Sequence, residues 1–354
     1  MTKLQSGNCR HEAKQMHSSF FQDGHGSEKG SQLKPCHEHV DSLSEDLTGC
    51  RDPADYRSGN RVENGIIQDW VQMYKENATR LISVDLDGTL FRSDGMPAPE
   101  GVRMLQAAAQ EGVRVVINTT RNAVGVRQLC TQLGLSDPMI CTNGAQVFAS
   151  PEGPIWASHA IPMGVARAIA QLADCNGWEV STSVGSCSYL RQRPGQPLGP
   201  VGNRSDAGME GSSQLVIVSE NEEALVAEPK RMILHEPDAI AAARELAARY
   251  RKECRAETYY EADGSLHSLC IFPFRADKGS ALRLVAGKLD IPLGQVLAIG
   301  DNPNDIPMFA AAGTSVAMGN APPEVKDSAT VVGPTNDDEG VAWAVRRFVL
   351  KGRS

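Results

Sequence analysis

The sequence has no long uninterrupted run of apolar residues. No stretch of its 354 residues approaches the ~18 consecutive apolar residues that predict a membrane-spanning helix. The first residues, MTKLQSGNCRHEAKQ, also lack the apolar segment of a secretory signal peptide. These two absences predict a soluble, cytoplasmic protein that does not have a membrane as its partner.

An excess of basic residues is missing as well. Lys and Arg together number 35 against 43 Asp and Glu, which gives a formal net charge of −8. Proteins that bind nucleic acids or anionic membranes normally need a basic face. The charge balance therefore argues against a nucleic-acid partner, although it does not exclude a local basic patch.

Two common sequence motifs are also absent. The nine cysteines are scattered and none forms a C-x-x-C pair, which argues against a disulfide framework or a four-cysteine zinc site and favours reduced thiols. The first apolar strand is not followed by a G-x-G-x-x-G turn. We therefore reject a dinucleotide-binding oxidoreductase as the function.

Residues 1–76 differ in composition from the rest of the chain. They are rich in Ser, Gly, Asp, Glu and His, and 1–62 show no sustained apolar period, which predicts a mostly disordered extension. The five histidines and three cysteines in this extension match no zinc spacing, so we expect no metal there. A short helix leading into the fold is predicted from apolar residues at helical spacing, namely Ile66, Ile67, Trp70, Val71 and Tyr74.

From residue 81 onward, apolar segments of strand length alternate with segments of helical period. The first predicted helix has Pro99 near its start and Gly112 at its end. This alternation predicts an α/β fold with a Rossmann-like, doubly wound parallel sheet covered on both faces. The predicted strands are 81–84, 113–118, 139–144, 296–301 and 314–318, and the other predicted helices are 122–133, 278–289, 304–312 and 338–350.

Polar residues follow several of these strands directly. In a parallel sheet, ligands bind outside the carboxyl ends of the strands, so the side chains there are expected to converge. The candidates are Asp85, Asp87 and Gly88 after the first strand, Thr119, Thr120 and Arg121 after the second, Asn143 and Gly144 after the third, Asp301, Asn304 and Asp305 after a later strand, and Lys278 at the start of a helix.

The chemistry of these groups fits phosphoryl transfer. Hard carboxylate oxygens with room for water suit Mg²⁺, and the candidate ligands are Asp85, Asp87, Asp301 and Asp305. A hydroxyl and an ammonium group beside them would hold phosphoryl oxygens, and a free carboxylate can attack phosphorus. A second acid two residues further on can reach the leaving oxygen. The set therefore predicts a phosphoryl-transfer site.

Four motifs carry a family resemblance. DLDGT, NTTR, DKGSAL and GDNPNDIPMF resemble, in order, the four motifs of the haloacid dehalogenase-like phosphatases. More narrowly, TSVAMGNAPPEVKDSA and TNDDEGVAWAV are similar to the Cof-type sugar-phosphatase branch. The match covers 81–149 and 270–349. It departs from the family at Thr120, where Gly is frequent, and at Pro303 and Pro307 in the last motif.

The resemblance implies a role for each motif residue. Asp85 would be the nucleophile that forms an aspartyl-phosphate, and Asp87 the acid that protonates the leaving group and then activates water. Thr119 and Lys278 would bind and neutralise the phosphoryl group. Mg²⁺ would be held by Asp85, the backbone carbonyl of Asp87, and Asp301, with Asn304 and Asp305 in support.

The segment 150–270 interrupts the predicted core and mixes helical and strand patterns. It resembles the α+β cap of the Cof-type branch, so we expect a catalytic core of 77–149 and 271–354 with a cap of 150–270 that selects the leaving group. The stretch 185–213 is rich in Gly, Pro and Ser and is predicted to be a long loop. Its Arg191 and Arg193 are weak candidates for anion binding.

The expected activity is Mg²⁺-dependent hydrolysis of a small phosphorylated metabolite, either a sugar phosphate or a phosphorylated cofactor. Two alternatives remain open. A phosphotransferase or phosphomutase could use the same core if a second substrate hydroxyl intercepted the aspartyl-phosphate. A non-catalytic binding protein could use the same fold, although the full set of acids and the lysine argues against it.

Overall fold

The computed structural model of the protein describes residues 78–192, 214–260 and 265–350. The extension expected to be disordered (1–62), the helix expected at 66–74, Arg193 and most of the loop expected at 185–213 lie outside these ranges. Across the described ranges, no helix has both the length and the apolar character that a membrane crossing requires.

Strands and helices follow each other in the order expected of an α/β protein. The strands are β1 (Leu81–Val84), β2 (Arg114–Asn118), β3 (Met139–Cys141), β4 (Gln146–Phe148), β5 (Ile155–Ser158), β6 (Ser181–Val184), β7 (Cys187–Arg191), β8 (Gln214–Val218), β9 (Arg231–Leu234), β10 (Cys254–Tyr260), β11 (Leu266–Pro273), β12 (Val296–Gly300), β13 (Thr314–Ala317) and β14 (Val331–Val332). The helices are α1 (Pro99–Gln110), α2 (Ala123–Leu133), α3 (Met163–Asn176), α4 (Pro237–Arg249), α5 (Lys278–Lys288), α6 (Ile306–Phe309), α7 (Pro323–Ser328) and α8 (Gly340–Phe348).

The larger of two sheets has the strand order β14-β13-β12-β1-β2-β3-β4-β5. The strands from β14 to β3 are parallel, whereas β4 and β5 are antiparallel additions at one edge. Successive strands extend from β1 towards β3 on one side, and from β12 towards β14 on the other. The order therefore reverses beside β1, where doubly wound sheets form their ligand crevice.

Both faces of this sheet are buried. Ile82 and Val84 of β1 point to one face and pack in a cluster with apolar residues of α1, α2 and α8. Leu81 points to the other face and packs in a cluster with residues of α5, α6 and α7. Because successive side chains of a strand alternate between faces, a strand covered on both sides is predominantly apolar. The α/β fold and parallel core predicted from the sequence are confirmed.

The smaller sheet has the order β10-β11-β9-β6-β7-β8. One face packs on α3 and α4, through apolar residues such as Met232 and Leu269. On the opposite face, Ile233, Cys270 and Phe272 cluster with residues outside this sheet, among them Ala145 just beyond β3. The smaller sheet therefore lies against the loops that follow the strands of the larger sheet.

For the inserted domain, expected at 150–270, the strand pairing suggests slightly different bounds. β5 pairs with β4 in the larger sheet, although its residues fall inside that range, and β11 of the smaller sheet continues to Pro273. We therefore propose that the inserted domain comprises approximately 159–273, and we call this segment the cap.

Several local predictions were wrong. Residues 187–191, placed in a long loop, form β7, because Gly185 and Ser186 make a two-residue connection that lets Val184 pair with Cys187. Gly185 has a φ of 59°, as tight hairpin turns require. The helix expected at 304–312 is a 3₁₀ turn followed by the short α6. No sequence prediction was made for β4, β5, α7 or β14.

Two glycines of α5 provide a test of how closely this helix packs. A Cβ at Gly279 would lie 2.1 Å from the carbonyl oxygen of Pro307, whereas a Cβ at Gly287 would meet nothing within 4 Å. We expect Gly279→Ala to lower the free energy of unfolding by about 1–3 kcal/mol. Gly287→Ala, the matched control, should raise it by ~0.5–1 kcal/mol. Urea denaturation measures both values, and equal stability of the two variants would contradict the packing of α5 on α6.

Candidate active site

A buried lysine lies at the centre of the polar cluster. Lys278 is the first residue of α5 and is fully buried. Its Nζ is 2.8 Å from Oδ1 of Asp85 and 2.6 Å from Oδ1 of Asp305. Burial by itself would lower the pKa of Lys278, but the charges of Asp305 and Asp85 raise it above its usual value. The lysine therefore stays protonated and joins β1 to the loop after β12.

Both carboxylate oxygens of Asp305 are engaged by the protein. Oδ1 accepts a hydrogen bond from Lys278, and Oδ2 accepts the backbone N–H groups of Asp301 and Asn302, each at 2.9 Å. A Cβ at Gly300 would lie 2.4 Å from this carboxylate, so the close approach requires glycine. Asp305 thus shapes the loop that carries Asp301.

Three carboxylates meet at this point. Asp85, Asp301 and Asp305 each offer an oxygen within 4.8 Å of the others. Burial raises the pKa of Asp85 to about 7, against the opposing charge of Lys278. Burial, followed by the charges of Asp85 and Asp305, raises the pKa of Asp301 well above its usual value. When all three are ionised, the carboxylates outnumber the single ammonium, and a bound cation would relieve this excess of negative charge.

The oxygens of Asp301 are oriented by polar neighbours. Thr89 donates a hydrogen bond of 2.7 Å to Oδ1, while Asn320 lies 3.5 Å from Oδ2 and donates a stronger bond, of 2.8 Å, to the carbonyl of Gly88. Gly88 has a φ of 77°, and a Cβ there would lie 2.2 Å from Asp301 Oδ2. Carboxylate and carbonyl oxygens are hard donors, which suit a hard cation rather than a soft metal.

Asp87 faces a different partner from Asp85. Arg121 binds it in a bidentate manner, with Nη2 2.6 Å from Oδ1 and Nε 2.9 Å from Oδ2. The guanidinium of Arg121 also stacks over Phe91, 4.4 Å from the ring centroid. Only 4% of the Arg121 side chain is exposed, against 34% of Asp87. Arg121, expected to contact substrate, thus holds Asp87, which remains reachable from solvent.

The loop after β2 is fixed by short contacts. The Thr119 hydroxyl accepts the backbone N–H of Arg121 at 3.2 Å, and the Thr119 carbonyl accepts the N–H of Asn143 at 3.0 Å. The carbonyl of Thr120 accepts a 2.9 Å hydrogen bond from Nη1 of Arg231, a buried residue of the cap. The loop is therefore held from both the core and the cap.

The turn after β3 has an unusual backbone. Thr142, Asn143 and Gly144 have φ values of 52°, 56° and 89°, so three consecutive residues lie in the left-handed region. A Cβ at Gly144 would be 2.4 Å from the carbonyl oxygen of Asp277, the N-cap of α5. This turn is thus wedged against the helix end that presents Lys278.

The cap contributes side chains to the same region. Nδ2 of Asn304 is 3.2 Å from the hydroxyl of Tyr259 and 3.4 Å from Oδ1 of Asn143. A cavity of about 220 Å³ lies between β10 and the loop of 302–307, and Arg255, Glu257 and Tyr259 line its cap side. Oδ1 of Asn304 is buried and accepts no hydrogen bond from the described residues.

The structure brings most predicted residues together. Asp85, Asp301, Asp305 and Lys278 form one cluster, Asp87 and Arg121 form an ion pair, and Asn143 contacts Asn304. The cap residues Arg231, Glu257 and Tyr259 were missed. For Glu257 and Tyr259 the signal was the alternation of polar residues in CRAETYY, which puts Arg255, Glu257 and Tyr259 on one face of β10. Arg231 lies in β9, outside this pattern. Arg191, a weak candidate for anion binding, pairs instead with Glu220 at 2.8 Å.

Comparison with known proteins gives a consistent match. A family model described as haloacid dehalogenase-like hydrolase matches residues 82–345. Phosphatase YwpJ of Bacillus subtilis is 28% identical over 286 residues, which cover 76% of this chain and 100% of that protein. The pyridoxal phosphate phosphatase YbhA of Escherichia coli is 26% identical over 282 residues, which cover 77% of this chain and 99% of that protein.

Solved structures match over a similar share of the chain. A haloacid dehalogenase-like hydrolase from B. subtilis superposes with a TM-score of 0.65 and 26% identity. The match covers 77% of this chain and 100% of the B. subtilis chain. The sugar phosphatase BT4131, of haloacid dehalogenase subclass IIB, superposes with a TM-score of 0.63 and 21% identity, covering 76% and 99%. At this identity, the second likeness concerns the fold alone.

Repulsion among the three carboxylates leads to two expectations for the melting temperature of Asp301→Asn, one without metal and one with MgCl₂. In metal-free protein, Asp301→Asn should raise the melting temperature, by about 2–4 °C for each kcal/mol of repulsion relieved. MgCl₂ should raise the melting temperature of the wild type but hardly that of the variant. Thermal denaturation with and without MgCl₂ measures both effects.

Asp327→Asn, which removes an exposed carboxylate from α7, is the matched control and should respond to MgCl₂ like the wild type. A metal-free Asp301→Asn protein that melts below the wild type would show that the three carboxylates do not repel one another appreciably.

Proposed function

The chain belongs to the haloacid dehalogenase-like hydrolases and is a phosphatase, and from this premise we propose that it hydrolyses phosphate monoesters of small metabolites through an aspartyl-phosphate on Asp85. The observation that carries this proposal is the position of Asp85. Its carboxylate lies at the end of a central strand, 2.8 Å from a buried ammonium, and within reach of two further acids.

In the first step, an oxygen of Asp85 attacks phosphorus while the bond from phosphorus to the leaving oxygen breaks. Asp87 gives its proton to that leaving oxygen, so the product leaves as a neutral alcohol. The Thr119 hydroxyl and the Lys278 ammonium bind the phosphoryl oxygens and offset their charge. Because Asp87 must carry a proton at this stage, its bidentate contact with Arg121 has to loosen when substrate binds.

In the second step, water attacks phosphorus and the bond to Asp85 breaks. Asp87, now a carboxylate, accepts the proton of that water, and inorganic phosphate leaves.

We further propose that Mg²⁺ is the cofactor. Asp85, Asp301 and the backbone carbonyl of Asp87 would hold the ion, with Asp305 in support because its two oxygens are already engaged. When bound, the ion would offset the negative charge of the phosphoryl oxygens and orient them for in-line displacement. The excess of carboxylates over ammonium groups in the cluster supports this assignment.

For the substrate we propose a sugar phosphate or a phosphorylated cofactor. The cavity of about 220 Å³ beside the cap has room for a small leaving group and is lined by polar side chains. The similarity to a pyridoxal phosphate phosphatase agrees with a substrate of this size.

We place the enzyme in the cytoplasm, since all six cysteines of the described residues are free thiols.

A panel of phosphate esters tests the activity. Purified protein with Mg²⁺ should hydrolyse p-nitrophenyl phosphate, and kcat/KM should be higher for at least one of glucose 6-phosphate, glycerol phosphate, flavin mononucleotide and pyridoxal 5′-phosphate. Excess chelator should suppress the activity and Ca²⁺ should compete, because Ca²⁺ accepts looser geometry. Phosphate release measures the rates, and full activity in metal-free protein would refute the metal assignment.

The roles of the two acids are separated by substitution. Asp85→Asn removes the nucleophile, so turnover should fall to background and no phosphoenzyme should form. Asp87→Asn should lose ~10²- to 10⁴-fold in rate, and less for p-nitrophenyl phosphate than for a sugar phosphate, because the nitrophenolate needs little protonation. Acid-quench trapping with labelled substrate, together with kinetics on both esters, measures this. Label trapped on Asp85→Asn, or equal damage by Asp87→Asn with both esters, would contradict these roles.

A further inference from the structure

The turn 142–144 has a backbone that its residues do not favour. Thr142 is β-branched, yet its φ is 52°, and Asn143 follows with a φ of 56°. Non-glycine residues rarely adopt this left-handed region, and β-branched residues least of all. Such a backbone persists only where surrounding contacts hold it, and it is concentrated at functional sites.

The strained turn supports the loop after β2. The N–H of Thr142 donates to the carbonyl of Arg121 at 2.8 Å, and the N–H of Asn143 donates to the carbonyl of Thr119 at 3.0 Å. These two bonds align the carbonyls of the loop that presents the Thr119 hydroxyl and the Arg121 guanidinium. A turn with an ordinary backbone would aim these N–H groups elsewhere.

A carboxylate of the cap holds the side chain of this turn. Nδ2 of Asn143 donates a 2.9 Å hydrogen bond to Oε2 of Glu257 on β10, and the Tyr259 hydroxyl donates to the same oxygen at 3.2 Å. The other oxygen of Glu257 pairs with Arg255 at 3.3 Å. Only 17% of the Glu257 side chain is exposed, so its orientation is well defined. Asn304 contacts the opposite end of the Asn143 amide.

We propose that Glu257 is a positioning residue for the phosphatase reaction. It holds Asn143 in the strained turn, and the turn in turn holds Thr119 and Arg121 where the phosphoryl group binds. This inference rests on the proposed function for its catalytic consequence, but its structural part can be tested without activity. It differs from a direct role in which Glu257 would contact the leaving group in the neighbouring cavity.

The first test combines steady-state kinetics with inhibition by inorganic phosphate, a probe that has no leaving group. Glu257→Ala should lower kcat/KM for p-nitrophenyl phosphate by up to ~10²-fold, as small misplacements of reacting groups do. Glu257→Gln, which keeps an oxygen that accepts from Asn143, should recover part of this loss. The inhibition constant of inorganic phosphate should rise in Glu257→Ala, since phosphate has no leaving group and binds only at the phosphoryl site, to which the 119–121 loop contributes. A loss of kcat/KM with an unchanged phosphate inhibition constant would overturn the proposal in favour of leaving-group contact.

A double-mutant cycle further separates a role of Glu257 in positioning Asn143 from direct contact with the leaving group. Asn143→Gly removes the partner side chain and also accepts a positive φ without strain. In the Asn143→Gly background, Glu257→Ala should have almost no further effect on kcat/KM, because its effect passes through Asn143. Effects that multiply independently would contradict the proposal. The control is Glu245→Gln, on α4 across the other face of the smaller sheet, where the partner of Glu245 among the described residues is the exposed Arg249.

Hydrogen–deuterium exchange tests the structural part by itself. The amides of Thr142 and Asn143 should exchange faster in Glu257→Ala than in the wild type or Glu245→Gln, while the amides of α8 stay protected in all three proteins. Unchanged exchange at Thr142 and Asn143 would overturn the inference even if the enzyme is active. If the wild type hydrolysed no ester of the panel, the proposed function would fail, and the exchange result would still decide the role of Glu257.

Discussion

The site depends on the ion pairs that the ammonium group of Lys278 forms with Asp85 and Asp305. The ammonium is fully buried between these two residues, and a charge in that position is tolerated only while both partners are present. Asp305 uses its remaining oxygen to form the loop that carries Asp301. The position of Asp85, the shape of the acidic loop and the start of α5 are therefore fixed by one group.

The position of the core residues could be predicted from the sequence because of a general property of parallel sheets. The carboxyl ends of β1 and β12 lie side by side, so acids that follow these strands must converge, however far apart they are in the chain. The cap residues could not be found in this way. Arg231 and Glu257 reach the core only because the smaller sheet packs against the loops of the larger one, and no local spacing encodes that packing.

The distinct roles proposed for Asp85 and Asp87 agree with their surroundings. Asp85 is buried beside the fully buried ammonium of Lys278, which suits the proposed nucleophile. Asp87 is more exposed and pairs with a guanidinium on a loop, which suits a group proposed to exchange protons with the leaving group and water. Sequence spacing placed both acids at the same strand end, but their partners come from two other parts of the chain and appear only in the fold.

The cap also contacts the core through a main-chain atom. Arg231 donates to the carbonyl oxygen of Thr120, and every amino acid presents that oxygen. The side chain at position 120 can therefore change while the acceptor for the cap arginine stays in place. Docking of the cap on this loop is consequently insensitive to which amino acid occupies that position.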